Sequence, residues 1–310
     1  MNNHAIYIFT CNRPTGLERL AIEVASIQGE YSIHIIDDSS ETLSIKANRK
    51  IANQFSNTRY LGIDQFNDFY KINEGTFNQM LGDNTWNLGI ARNFALEHSV
   101  QRRYKKVLFI DDDISGINQE KIDEGFSTLT ENNLVSCNLL GQVDDSIIGH
   151  IATEVGVTDS NPRMLSGGFF FLTPLTVTHR FFNIYNEDWI LQLLEKEKEK
   201  ITIPFEVYHS INRNLKWTLD QALFQEFGEL VVEGFFENDN ALFLDSSFWN
   251  KILQSRIKFI EEIISRVEKF RDQLKYDICI GVLTWLKHQN GNIIKQSIEE
   301  IKNEYYEYKI

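Results

Sequence analysis

Short apolar runs separated by helix-length segments constrain this chain more than any other feature. The runs are Ala5–Phe9, Ser32–Ile36, Thr58–Leu61, Val107–Ile110 and Leu134–Cys137, with helical patterns over Gly16–Ile27, Leu88–Val100 and Gln119–Thr130 between them. Strands that alternate with helices imply βαβ crossovers, so the pattern predicts an α/β fold with a mixed, mostly parallel sheet flanked by helices. In such sheets ligands collect outside the carboxyl ends of the strands, and the polar residues there become the ones to read.

Further along, Met164–Leu172 and Ile203–Tyr208 are strand-like, and Asn186–Lys200 reads as a helix capped by Asn186 with Glu187 and Asp188 in its first turn. Another helix is expected over Trp217–Phe227. Beyond Trp249, apolar residues recur at Leu253, Ile257, Ile260, Ile264 and Val267, so residues 1–248 form the main domain and 249–310 a helical C-terminal extension. About two heptads are too few for a coiled coil; the stripe is read as packing within the chain, with a homodimer seam as the alternative.

The 310 residues carry 44 acidic and 31 basic side chains, a formal charge of -13, which repels a phosphate backbone and argues against nucleic acid as a partner. A nucleotide diphosphate remains admissible where a metal ion supplies positive charge locally. Cys11, Cys137 and Cys279 are scattered without zinc or disulfide spacing, which fits a reducing compartment. The N-terminus shows no export-signal pattern and the longest apolar stretch falls far short of a membrane span. The expectation is a cytoplasmic protein with no transmembrane segment, with room for peripheral membrane contact.

The strongest chemical signal is Val107-Leu108-Phe109-Ile110-Asp111-Asp112-Asp113, an apolar strand ending in three carboxylates. Alternation along an extended chain would send Asp111 and Asp113 to one side and Asp112 to the other. Two carboxylates that close are tolerated when a cation lies between them, and hard oxygen ligands select Mg²⁺ or Mn²⁺ with positions left for diphosphate oxygens. The competing reading is a turn or a cap for the next helix. A second acid pair, Asp37-Asp38, ends another strand; if the two strands are parallel members of one sheet it opens on the same edge, either to bind a base or ribose or to close an Asx turn.

The first strand leads into Thr10-Cys11-Asn12-Arg13-Pro14, where Arg13 pairs with a phosphate or with a nearby acid. In the segment after Asn87, Leu88, Ala91 and Ala95 make one helical face and leave Gly89, Arg92 and Asn93 on the other. Glycine admits close backbone approach and arginine offers a planar donor for phosphate; an ordinary surface salt bridge is the alternative.

The order of these motifs from Ile6 to about His209 resembles the family 2 glycosyltransferases with the GT-A fold, which carry an Asp-X-Asp metal motif. The resemblance covers Thr10–Pro14, Asp37-Asp38, Ala91-Arg92-Asn93, Asp111–Asp113, Gly167-Gly168 and Glu187-Asp188. It implies a Rossmann-like GT-A sheet and a transferase moving a sugar from a nucleotide-diphosphate donor, most often a uracil nucleotide, to a glycan, lipid-linked saccharide or peptide or protein hydroxyl. By that resemblance Thr10, Asn12, Arg13, Asp37, Asp38, Arg92, Asn93, Asp111 and Asp112 serve the nucleotide donor, and Asp111, Asp113 and the late histidine His209 hold Mn²⁺ or Mg²⁺. Gly167, Gly168 and Trp189 shape the acceptor side, and Asp188 is the base, with Glu187 orienting it or contacting the acceptor. A carboxylate base and a metal that absorbs leaving-group charge suit inverting in-line displacement.

Asp220, in Leu219-Asp220-Gln221, is a rival base. Trp217 and Phe169–Phe171 are rival sugar platforms, though core packing is the commoner role. Three other functions compete. A receiver domain would need a phosphoacceptor near Asp159. A nucleotidyltransferase acting on a sugar phosphate would want a more glycine-rich, basic loop than Asn12–Gly16. A sugar-binding or scaffolding descendant would have no need of the acids.

Overall fold

A computed structural model describes residues 3–65, 88–141, 146–157, 164–209 and 217–305. Its strands are β1 (His4–Thr10), β2 (Tyr31–Asp37), β3 (Thr58–Gly62), β4 (Lys106–Asp111), β5 (Ile114–Ser115), β6 (Asn133–Gly141), β7 (Phe169–Leu172) and β8 (Glu199–His209). They form one sheet in the order β3-β2-β1-β4-β7-β6-β8-β5. The first four are parallel neighbours, β7 runs antiparallel to β4 and β6, β8 is parallel to β6, and β5 is antiparallel to β8. The sheet is therefore mixed and mostly parallel, as the alternating pattern predicts.

The helices are α1 (Pro14–Ala25), α2 (Thr42–Ala52), α3 (Leu88–Gln101), α4 (Gln119–Thr128), α5 (Ile147–Glu154), α6 (Glu187–Leu194), α7 (Leu219–Glu237), α8 (Ser246–Phe270), α9 (Gln273–His288) and α10 (Gly291–Tyr305). Alternation along the strands divides the core. Ile6, Ile8, Leu108 and Ile110 pack with Leu17 and Leu20 of α1, Ile51 of α2 and Ile122 of α4. Ala5, Tyr7, Phe9, Val107 and Phe109 pack with Ala91, Ala95 and Leu96 of α3 on the opposite face. Phe169 and Phe171 join the first layer and Phe170 the second, so these aromatics are core rather than sugar platforms.

A third core unites α5 to α10 around Ile151, Ile190, Phe227, Trp249, Ile260, Val282 and Ile298. Leu253, Ile257, Ile260 and Val267 are buried in it and Ile264 packs against it, so the apolar stripe is satisfied within the chain. Arg256 of α8 is almost wholly buried there; it pairs through Nε and Nη2 with Glu226 and, at 2.6 Å, with Glu233, both on α7. Among the described residues no helix is long and apolar enough to cross a membrane.

Tertiary contacts redraw several expected boundaries. The helix expected over Asn186–Lys200 ends at Leu194, because the chain is needed for β8, where Glu199 pairs with Asn133 of β6. Before that strand, Glu195 Oε1 accepts hydrogen bonds from the Thr178 and His179 amides, and Lys198 Nζ donates to the Glu131 carbonyl. Asn186 adopts a left-handed conformation (φ 64°) and its side chain makes no capping bond. The strand expected from Met164 begins only at Phe169, after the Gly167-Gly168 turn, and α7 runs on to Glu237, capped by Thr218 Oγ1 accepting from the Gln221 amide. Asp159 lies outside the described residues.

The register brings the chemistry to one rim. Thr10 lies opposite Asp37, and Phe9 lies opposite Asp111, so β1, β2 and β4 end level with one another. Because β7 is antiparallel, it starts where β4 ends, with Phe169 opposite Ile110, and Gly167-Gly168 enter at the same edge. His209 completes the rim through its pairings with Gly141 of β6 and Ile114 of β5.

Candidate active site

Strand β4 stops at Asp111, and Asp112 and Asp113 lie in the turn before β5, so strand alternation does not continue through the triplet. The three carboxylates take different partners. Asp112 is fully buried and accepts a hydrogen bond from Thr10 Oγ1 at 2.6 Å. Arg13 spans the other two positions in the turn: Nη2 lies 2.7 Å from Asp112 Oδ1 and Nη1 2.6 Å from Asp113 Oδ2. Arg19 Nη2 donates to the Asp112 and Ile114 carbonyls and so fixes the turn itself. The turn also needs Gly16, since a Cβ there would lie 2.9 Å from the Asp112 carbonyl oxygen.

His209 Nε2 lies 3.2 Å from Asp113 Oδ2, the same oxygen that Arg13 contacts. Burial works against the Asp113 charge, but the His209 hydrogen bond and the Arg13 charge outweigh it and hold Asp113 well below the usual carboxylate range. Burial dominates at Asp112, which is pushed up to about 7 despite Arg13.

Arg92 of α3 is 1% exposed, which removes the alternative of an ordinary surface salt bridge. Its Nη2 donates to both Asp111 carboxylate oxygens at 3.1 and 3.2 Å and to the Gly167 carbonyl at 3.2 Å, while Nη1 lies 2.8 Å from Glu187 Oε1. The guanidinium is flanked by the Phe9 and Phe181 rings, each 5.8 Å away. On the other side of the same peptide segment, the Gly167 amide donates to Asp188 Oδ2 at 2.6 Å. Gly167 is required sterically: a Cβ would lie 2.5 Å from Arg92 Nη1 and 2.6 Å from Asp188 Oδ2. Gly168 contributes its carbonyl to the Asp111 amide.

Burial raises Glu187, Asp188 and Asp111 alike, with Arg92 opposing the rise in each. Glu187 reaches about 8 because the neighbouring Asp188 adds to burial, whereas the Gly167 and Trp189 amides favour the charged form of Asp188. One guanidinium among three buried carboxyl groups, each raised by burial, favours a proton shared within the cluster.

Other expected site residues are placed differently. Asp37 is buried and used internally: it accepts from the Ser39 amide at 2.9 Å, Asn48 Nδ2 at 3.1 Å and Tyr60 OH at 2.7 Å, which leaves half-buried Asp38 as the rim acid of the pair. Asn12, at φ 55°, joins two loops through its Nδ2 bond to Ser40 Oγ and its acceptance of the Glu41 amide. Asn93 is buried and ties both the amide and carbonyl of Phe181 at 2.8 Å, so it braces the wall of the site rather than facing a ligand. Trp189 is partly buried against the helical core, Trp217 stacks on His150, and Asp220 is exposed in the first turn of α7. Sequence reading did not single out Arg19, Asn48 and Tyr60, which brace the rim acids; Tyr60 follows the same strand-end placement, but nothing local marks the other two.

Comparison with known proteins then bears on the fold. No protein-family model and no curated protein sequence matches the chain. Solved structures do. A mannosyltransferase from Pyrobaculum calidifontis in complex with GDP-Man and Mn²⁺ superposes with a TM-score of 0.51 over 95% of this chain and 87% of that one, at 11% identity. The fold is a GT-A-like Rossmann fold, a mixed α/β sheet flanked by helices. Glucosyl-3-phosphoglycerate synthase from M. tuberculosis gives a TM-score of 0.51 at 13% identity, covering 74% of this chain and 80% of that one. This GT-A-like chain carries its helical extension beyond the central sheet.

Proposed function

We propose that the chain is an inverting glycosyltransferase that moves a sugar from a nucleoside-diphosphate donor, a UDP-sugar in the first instance, to an acceptor hydroxyl. The observation that carries this reading is the Arg92 cluster, which ties a rim acid of β4 to the acids at the start of α6 through Gly167. Asp188 is the base. The acceptor oxygen bonds to the anomeric carbon as the bond from that carbon to the diphosphate oxygen breaks; the acceptor proton passes to Asp188 and the nucleoside diphosphate leaves. Burial raises Asp188 toward its protonated form, and the Arg92 charge and the Gly167 and Trp189 amides oppose that rise, while the Gly167 amide fixes Oδ2 in place. Asp38 lies on the nucleotide side, and the Gly167-Gly168 turn borders the sugar.

The residues present fit a divalent cation. Asp113 Oδ2 and His209 Nε2, 3.2 Å apart, have the spacing of neighbouring ligands around one ion with bonds of roughly 2.1 Å, and Mg²⁺ or Mn²⁺ commonly take their remaining ligands from phosphate and water. Asp113 and His209 would hold it as the two protein ligands, Asp111 being bound to Arg92. Bound there, the ion supplies positive charge to the departing diphosphate.

The test is a panel of UDP- and GDP-sugars with Mn²⁺ or Mg²⁺, read as nucleoside diphosphate released with and without chelator. The reading expects metal-dependent release from one donor, lost in Asp113→Asn and Asp188→Asn. Absence of release or nucleotide binding across the panel overturns it, and pyrophosphate formed from a nucleoside triphosphate and a sugar phosphate would replace it with nucleotidyl transfer.

A further inference from the structure

Asp113 Oδ2 is contacted at once by Arg13 Nη1 at 2.6 Å and by His209 Nε2 at 3.2 Å, and the other Arg13 nitrogen holds Asp112 at 2.7 Å. A guanidinium therefore sits on the very oxygen that the metal reading assigns to the cation. We propose that Arg13 is an exchangeable counterion: it neutralises Asp113 until a divalent ion takes that oxygen, and then turns to the donor diphosphate. This rests on the proposed function and adds to it a specific role for Arg13, one that couples cation and nucleotide binding.

Three features of the structure carry it. The backbone at Arg13 is pinned while its side chain reaches the surface. Asn12 is stapled to the β2–α2 loop through Ser39, Ser40 and Glu41, and Pro14 opens α1, yet the Arg13 side chain is 42% exposed. Among the described residues its ion pairs are with Asp112 and Asp113. Moreover, the acid turn does not depend on Arg13 alone, since Thr10 Oγ1 keeps its bond to Asp112 and Arg19 keeps the Asp112 and Ile114 carbonyls.

Charge balance gives the exchange its direction. A cation arriving at Asp113 faces an arginine already there, and like charges at that range repel. A divalent ion and a doubly charged pyrophosphate entering together are neutral as a pair, so they leave the balance of the three aspartates and two arginines unchanged. Arg13 then exchanges one anion for another, keeping the forked donor geometry that suits phosphate oxygens. Arg92 has no such freedom, being buried and bound to Asp111, Glu187 and Gly167.

The experiment measures Mn²⁺ affinity of the full chain without nucleotide, by calorimetry and by the loss of the free Mn²⁺ paramagnetic resonance signal, and UDP and GDP affinity with Mn²⁺ saturating. Arg13→Gln is expected to bind Mn²⁺ alone roughly tenfold more tightly than the unsubstituted chain and the nucleoside diphosphate roughly tenfold more weakly, as loss of one charge-assisted contact to each would produce. Arg13→Lys, which keeps charge without the fork, should leave Mn²⁺ affinity within about twofold while weakening the nucleotide. Asp113→Asn separates the two levels of the argument. If it abolishes Mn²⁺ binding but Arg13→Gln leaves Mn²⁺ affinity unchanged or lower, the exchange is wrong and the metal site stands. If neither the unsubstituted chain nor Arg13→Gln binds Mn²⁺, or if Asp113→Asn binds it normally, the metal reading fails and takes the exchange with it.

Discussion

The Arg92 guanidinium and the Glu187 carboxylate pair at 2.8 Å with side chains only 2% and 4% exposed. The Arg92 charge, withdrawn from water this completely, is held by Asp111, the Gly167 carbonyl and Glu187 as a set, and taking it away leaves buried carboxyl groups without their partner. Arg92→Ala should therefore lower the unfolding free energy by about 3–5 kcal/mol, measured by urea titration. Arg92→Lys cannot reach Asp111, Gly167 and Glu187 together and should recover less than half of that loss.

Glu187 adds a pH signature. Its folded value, about 8, lies above its ordinary 4.5, so the folded chain holds a proton that the unfolded chain gives up. The stability this provides is full below about 4.5 and is lost as pH rises through 8. Stability of the unsubstituted chain should decline between pH 6 and 8.5, and Glu187→Gln, neutral at every pH, should flatten that decline in parallel denaturation series.

Gly167 tests the steric half of the same cluster. A methyl group there would stand 2.5 Å from Arg92 Nη1 and 2.6 Å from Asp188 Oδ2, closer than real Cβ contacts allow. Gly167→Ala must displace one of them, at a cost of about 1–3 kcal/mol in stability. Donor-sugar transfer should fall at least tenfold in kcat while nucleoside diphosphate affinity changes little; an unchanged kcat would separate Gly167 from the base.

Asp188→Asn preserves shape and removes the basic oxygen. A loss of roughly 10²–10⁴ in kcat with KM for the donor unchanged is the expected result, and Asp220→Asn, at an exposed position, should be within twofold of the unsubstituted chain. The reverse ranking would move the base to Asp220.

A second pH dependence belongs to the core beneath α3. His34 Nε2 pairs with Tyr104 OH at 3.0 Å, and its ring packs against those of Tyr7 and His98. Burial first, then His98, Arg59 and Arg102, depress its pKa from 6.5 to about 3. The unfolded chain then binds more protons in this window, so stability is present above 6.5 and is lost as pH falls toward 3. Between pH 7.5 and 5 the loss from this one ring is about 2 kcal/mol. His34→Gln should show a correspondingly shallower decline in the same urea series.

Much of the fold is legible in the sequence because its signals are local. The apolar period of Ala5–Phe9 or Val107–Ile110 forces burial on two faces, and the polar residues that follow must then lie at the sheet rim. Asp111–Asp113 and His209 reached one edge for that reason, and Gly167-Gly168 joined them because β7 runs antiparallel to β4. Boundaries and partners are less legible. Nothing near Glu195 announces that α6 stops there, since the competitor is the pairing of Glu199 with Asn133, 66 positions earlier in the chain.

By itself, then, the sequence determined the main strands, several of the helices between them and the placing of acids after strands, because periodicity and turn chemistry act within a few residues. Only the tertiary structure decided which charges neutralise which: Arg13 went to Asp112 and Asp113, and Arg92 to Asp111 and Glu187. Asp37 and Asn93 turned inward for the same reason, as each found backbone or side-chain partners that only folding brings within hydrogen-bond range. Ion pairing depends on distance and burial in three dimensions, and neither is a property of any short stretch of chain.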